Sequence, residues 1–170
     1  MSDKMYADIT IKARCYEPAE VESILRQHNA EYKGLDNQTD TFYKVEVGKL
    51  KLRKGTIENV LIHYNRFWAG GALQTEVMMY LKNPGSATID AVCHGLEVTS
   101  EIRKLRKIYF IDNVKFHIDQ VEGLGQFIEI EAIDLDGSLG TETLKQQCSY
   151  YKDLLLIEDE DLINDSYIDL

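Results

Sequence analysis

The run KFHIDQVEGLGQFIEIE, residues 115–131, decides the fold. In its first arm Lys115, His117 and Asp119 alternate with Phe116 and Ile118, and in its second Glu129 and Glu131 alternate with Ile128 and Ile130. Strict alternation sends the charges of each arm to one face and the apolar residues to the other, which is the signature of a β-strand with one packed face. Gly123 and Gly125 fall where a tight turn joins the two arms. They are no phosphate cradle, because no G-x-G-x-x-G leads from a strand into a helix.

The same period recurs along the chain. Over Tyr6–Arg14, Asp8, Thr10, Lys12 and Arg14 alternate with Ala7, Ile9, Ile11 and Ala13. Thr39–Val45, Lys49–Lys54 and Asn59–Arg66 read as three further strands, with Gly48 and Gly55 at the turns, and Gln74–Lys82 as a fourth. Glu97–Arg106, Lys107–Asp119 (bent or split near Ile111-Asp112-Asn113) and Phe127–Ile133 follow. Helical spacing appears three times. Glu17-Pro18 opens a segment carrying Val21, Ile24, Leu25 and His28, with Gly34 beyond its end. Ser86–His94 lies between Asn83-Pro84-Gly85 and Gly95, and about Gly140–Leu155 sets Leu144, Cys148, Tyr151 and Leu155 on one face. Seven or eight strands without regular strand–helix alternation predict an α+β fold, with a mostly antiparallel sheet and helices outside it. That number of strands suffices to close a barrel.

A chain of 170 residues with 44% apolar and 28% charged residues suits one globular domain. Acids outnumber bases 29 to 19, and residues 158–170 hold six acids and no base. This balance disfavours a nucleic-acid partner. Cys15, Cys93 and Cys148 are odd in number and form no C-x-x-C pair, which argues against a structural zinc. Neither a targeting segment nor a long apolar run is evident, so the expectation is a cytoplasmic protein with no membrane partner. The acidic tail is expected to be mobile over part of its length. Trp68 with Gly70-Gly71 reads as a long hairpin connection or a loop at a site mouth.

The polar faces carry the functional signal. Bases collect on some strands (Lys49, Lys51 and Arg53; Lys104 and Arg106) and acids on the last (Glu129 and Glu131). Spacing alone admits two arrangements. One is a half-exposed sheet with a solvated face. The other is a barrel whose lumen grips an anion with its bases and a divalent metal with its acids, as a metal–polyphosphate complex requires.

Motifs choose between them. Gln38-Thr39-Asp40-Thr41-Phe42-Tyr43 followed by Lys49-Leu50-Lys51-Leu52-Arg53 resembles the CYTH family, named for class IV adenylyl cyclases and thiamine triphosphatases and part of the triphosphate tunnel metalloenzymes. The resemblance continues at Glu101-Ile102-Arg103-Lys104-Leu105-Arg106 and is strongest over residues 117–131. It closes at Ser149-Tyr150-Tyr151-Lys152-Asp153-Leu154-Leu155, similar to the family's Ser-Tyr-x-Asp-Leu-Leu. The resemblance implies a closed eight-stranded antiparallel β-barrel over residues 1–157, followed by the acidic tail 158–170. It implies a triphosphate held by Lys12, Lys51, Arg53, Arg66, Lys104, Arg106 and Lys115, and Mg²⁺ or Mn²⁺ held by Asp119, Glu129, Glu131 and Asp8. Lys12 is the implied catalytic residue, orienting or deprotonating the nucleophile.

The implied ligands are ATP, thiamine triphosphate or inorganic triphosphate, and the implied assembly is a monomer or homodimer. One departure bears on activity. The family's Glu-x-Glu-x-Lys reads Asp8-Ile9-Thr10-Ile11-Lys12 here, so the second carboxylate is replaced by a hydroxyl. Two expectations stand side by side: an adenylyl cyclase or triphosphatase, and a tunnel that binds a polyphosphate or nucleotide without turning it over.

Overall fold

The computed structural model describes residues 7–69, 72–164 and 166–170. Tyr6, Gly70 and Gly71, which the sequence reading places in the first strand and the mouth loop, lie outside the described residues. Eight antiparallel strands form the wall: β1 (Ala7–Arg14), β2 (Glu31–Tyr43), β3 (Lys49–Lys54), β4 (Asn59–Ala69), β5 (Ala72–Lys82), β6 (Val98–Ile111), β7 (Val114–Val121) and β8 (Gly125–Asp134). Their order is β5-β4-β3-β2-β6-β7-β8-β1, and pairing of β1 with β5, from Ala7↔Glu76 to Thr10↔Leu73, closes the barrel. The rest of that edge of β1 is taken by a two-residue strand, β9 (Leu162–Ile163), paired at Lys12↔Ile163 and Ala13↔Leu162.

Three helices lie outside the wall: α1 (Pro18–Gln27), α2 (Ser86–Cys93) and α3 (Thr141–Leu154). The main core sits beneath them rather than in the barrel. Ile9, Ala13, Phe116, Ile118, Ile128 and Ile130 pack outward against Val21 and Leu25 of α1 and Leu144 and Cys148 of α3. A second cluster, Leu50, Leu52, Leu61 and Leu81, meets Cys93 of α2. With the apolar residues outside, the period-two pattern forces the charged residues into the lumen. The three cysteines are free and buried. Among the described residues, no helix is long and apolar enough to cross a membrane.

Three expectations are corrected. The second strand starts at Glu31, not Thr39, and Gly34 is no helix stop: it lies within β2 at φ 120°, where the register on β6 shifts. Helix α1 gives way instead at Asn29, in the left-handed region at φ 59°. The boundary expected between Arg106 and Lys107 is absent, since β6 runs on to Ile111, whereas the split expected near Ile111-Asp112-Asn113 is present, with Asp112 at φ 52°. Among the described residues of the tail, β9 pairs with β1, and Tyr167 is buried against Val121 and Phe127.

Candidate tunnel site

Alternation along each strand aims Asp8, Thr10 and Lys12 (β1), Asp36, Gln38 and Asp40 (β2), Lys51 and Arg53 (β3), Lys104 and Arg106 (β6), Lys115, His117 and Asp119 (β7) and Glu129 and Glu131 (β8) inward. All seven predicted phosphate ligands line one cavity, and so do Asp8, Glu129 and Glu131. Eight Lys and Arg side chains, the exposed Lys82 among them, line that cavity together with five carboxylates.

The arginines are braced by acids on neighbouring strands. Arg53 donates through Nε and Nη2 to Asp40 at 2.8 Å each, and Arg106 in the same way to Asp119 at 2.7 Å. Lys104 also pairs with Asp40, and Lys115 with Glu58. Such two-point pairs fix each guanidinium and leave its remaining N–H donors for another acceptor. Burial opposes the charge on Asp40, yet the Arg53 guanidinium holds its carboxyl well below the usual range. Burial, and then the Arg53 and Arg106 charges, push Lys104 down to about 8. Burial and Arg53 likewise drive Lys51 well below the ordinary lysine value. Among the described residues no carboxylate lies within 4 Å of the Lys51 ammonium, which stands 5.3 Å from the centre of the Tyr64 ring. Arg66 donates to Thr75 at 3.0 Å.

The acids divide into two groups. Asp119 is occupied: besides Arg106 it accepts the Tyr167 hydroxyl at 2.7 Å, and it does not line the cavity. Glu129 faces Lys12 at 3.9 Å; against the effect of burial, Lys12 and Arg106 hold it down to about 2. Asp8 and Glu131 have no ion-pair partner within 4 Å among the described residues. Burial, and after it the Glu131 charge, raises Asp8 well above the usual carboxylate value, and Glu131 is itself raised, first by burial. Thr10 lies across from Glu131 on β8 and donates to Asp8 at 3.4 Å.

No three His, Cys, Asp or Glu side chains among the described residues gather closely enough to hold a metal unaided. The Asp8–Glu131 pair, with Glu129 beside it, nevertheless fits a hard dication that brings its own phosphate oxygens. Magnesium is commonly held by one or two carboxylates plus substrate phosphate.

A CYTH domain model matches residues 8–167. The chain belongs to the CYTH domain family. A relative from Methanocaldococcus jannaschii, named “Putative adenylate cyclase”, is 34% identical over 76 residues, which span 45% of this chain and 43% of that protein. This CYTH domain superimposes on a protein of Pyrococcus horikoshii with a TM-score of 0.79 and 23% identity, over 96% of this chain and 98% of the other. A Hippeastrum “putative adenylyl cyclase”, reported with a dominant triphosphatase activity, gives 0.65 at 14% identity over 97% and 94%. An RNA triphosphatase of Schizosaccharomyces pombe gives 0.52 at 12% identity over 92% and 84%. These structural likenesses establish the fold.

Several lumen residues of this CYTH domain escape a reading of the sequence. Asp36 accepts from the Ile57 and Glu58 N–H groups and the Thr56 hydroxyl, and so shapes the β3–β4 turn. Glu58 and Asp40 brace cations that lie 57 and 64 residues away. Tyr167 sits in an aperiodic tail. A signal for it does exist: Ser166-Tyr167-Ile168-Asp169-Leu170 has the spacing Ser-Tyr-x-Asp-Leu, whereas residues 149–155 hold one residue more. Only the later copy reaches the lumen, where the Lys12 ammonium lies 3.9 Å from the centre of the Tyr167 ring.

Proposed function

We propose that the tunnel binds the triphosphate part of a small molecule together with Mg²⁺ or Mn²⁺, and promotes phosphoryl or nucleotidyl transfer on it. The observation that carries this reading is the convergence of Lys12, Lys51, Arg53, Arg66, Lys104, Arg106 and Lys115 on one cavity. Lys51 and Lys104 are pushed down by burial and by neighbouring arginines, an arrangement that a polyanion relieves. Arg53 and Arg106, locked by Asp40 and Asp119, offer their free N–H groups to phosphate oxygens, and Lys12, Lys51, Arg66, Lys104 and Lys115 supply the remaining positive charge. Asp8 and Glu131, with Glu129 beside them, are the residues that would hold the metal. A bound divalent cation would neutralise charge that develops on the transferred or leaving phosphate. Lys12, whose proton affinity burial lowers, is the group suited to orient the attacking oxygen or accept its proton.

A second reading, binding without turnover, draws on Thr10 and Asp119. One provides a hydroxyl where the family's pattern has a carboxylate, and the other is engaged by Arg106 and Tyr167. One assay separates the two. Phosphate release and cyclic AMP formation are measured from ATP, thiamine triphosphate and inorganic triphosphate with Mg²⁺ or Mn²⁺. Turnover that a chelator abolishes is the expected result; binding of the same compounds without any turnover favours the second reading.

A further inference from the structure

His117 lines the lumen and is 3% exposed, yet neither ring nitrogen has a hydrogen-bond partner among the described residues. Glu129 Oε1 stands 3.9 Å from Nδ1, beyond hydrogen-bond reach. A buried polar group left without a partner costs free energy that a well-packed apolar residue of similar shape would not. Arg53, Lys104, Arg106 and Lys115 line the same cavity, and an imidazole carries at least one N–H to donate in either protonation state. Among the described residues, Gln38 Oε1 is the other buried side-chain polar atom without a partner, but it is an acceptor and does not suit an anion.

We propose that His117 is a substrate-binding residue, whose unpaired N–H is reserved for an oxygen of the bound polyphosphate. The inference rests on the tunnel being a polyphosphate site, and adds an imidazole donor to its Lys and Arg side chains.

The test compares His117→Leu with His117→Gln, which puts an amide N–H near the place of Nε2. The readouts are inorganic tripolyphosphate affinity by calorimetry and the melting temperature of the ligand-free protein. The Leu variant is expected to melt at or above the parent temperature and to bind tripolyphosphate about tenfold or more weakly. The Gln variant is expected to keep most of the parent affinity. Should the Leu variant fail to fold, His117→Met replaces it. Equal affinity in the apolar and Gln variants overturns the assignment, and so does an apolar variant that melts lower while binding as the parent does, since that marks a packing residue. If the parent itself does not bind tripolyphosphate, the tunnel reading fails and this inference falls with it. If the parent binds and the variants do not differ, only the role of His117 fails.

Discussion

At the scale of single residues, Asp40 is the pivot of the lumen, holding Arg53 by two bonds and Lys104 by a third. Asp40→Asn leaves two buried cations short of their counter-charge and is expected to cost about 3–5 kcal/mol of stability. Tripolyphosphate should restore part of that loss, so its melting shift should be larger in the variant than in the parent; equal shifts would separate Asp40 from the anion site. Lys104 yields a pH prediction. With its proton affinity down to about 8, it is charged below that pH and neutral above it, so tripolyphosphate affinity should hold at pH 7 and fall as the pH rises through 8. Lys104→Arg keeps its charge across this range and should flatten the decline. The cations were legible in the sequence because they repeat every second residue. Their braces were not: Asp40 meets Lys104 only when β2 pairs with β6, and no local pattern announces a contact across 64 positions.

At the scale of elements, the turn between β3 and β4 binds the wall to the site. A Cβ on Gly55 would lie 2.5 Å from an Asp36 oxygen and 2.6 Å from the Glu58 carbonyl, so this position requires glycine. Gly55→Ala should displace the turn that carries Glu58 and lower stability by about 1–3 kcal/mol. Chemical denaturation measures the loss, and weaker tripolyphosphate binding should accompany it through the Glu58–Lys115 pair. The strands with a packed face announced themselves by period, whereas the first half of β2, Glu31–Gln38, did not. Its outward residues are polar or exposed, and it owes its extension to pairing with β6 rather than to an apolar stripe. The tail left no trace in the periodicity for a related reason, and its one signal is the Ser-Tyr-x-Asp-Leu spacing of residues 166–170. Two residues of strand and one tyrosine secure it, and neither makes a repeat. Tyr167→Phe keeps the ring beside Lys12 but loses the bond to Asp119, and should lower the melting temperature modestly, in line with a buried hydrogen bond of about 1–3 kcal/mol.

At the scale of the molecule, a barrel that holds its charges inside should gain stability from its ligand. A polyphosphate that binds only the folded state adds about 2.7 kcal/mol at a hundred times its dissociation constant. Mg²⁺ and tripolyphosphate together should raise the melting temperature more than tripolyphosphate alone, and the combined Asp8→Asn, Glu131→Gln variant should lose that extra increment. An unchanged increment in the variant would remove the pair from the metal site. The separation of faces reaches further. Neighbouring residues on one strand answer to different demands: Ile128 and Ile130 hold the wall to the helices, while Glu129 and Glu131 serve the lumen. A substitution at a lumen position therefore leaves the apolar packing beneath the helices untouched. Such a scaffold can drift in what it recognises while remaining folded, one lumen residue at a time, and Thr10 between Ile9 and Ile11 shows how a single inward residue changes in chemistry while both neighbours stay apolar.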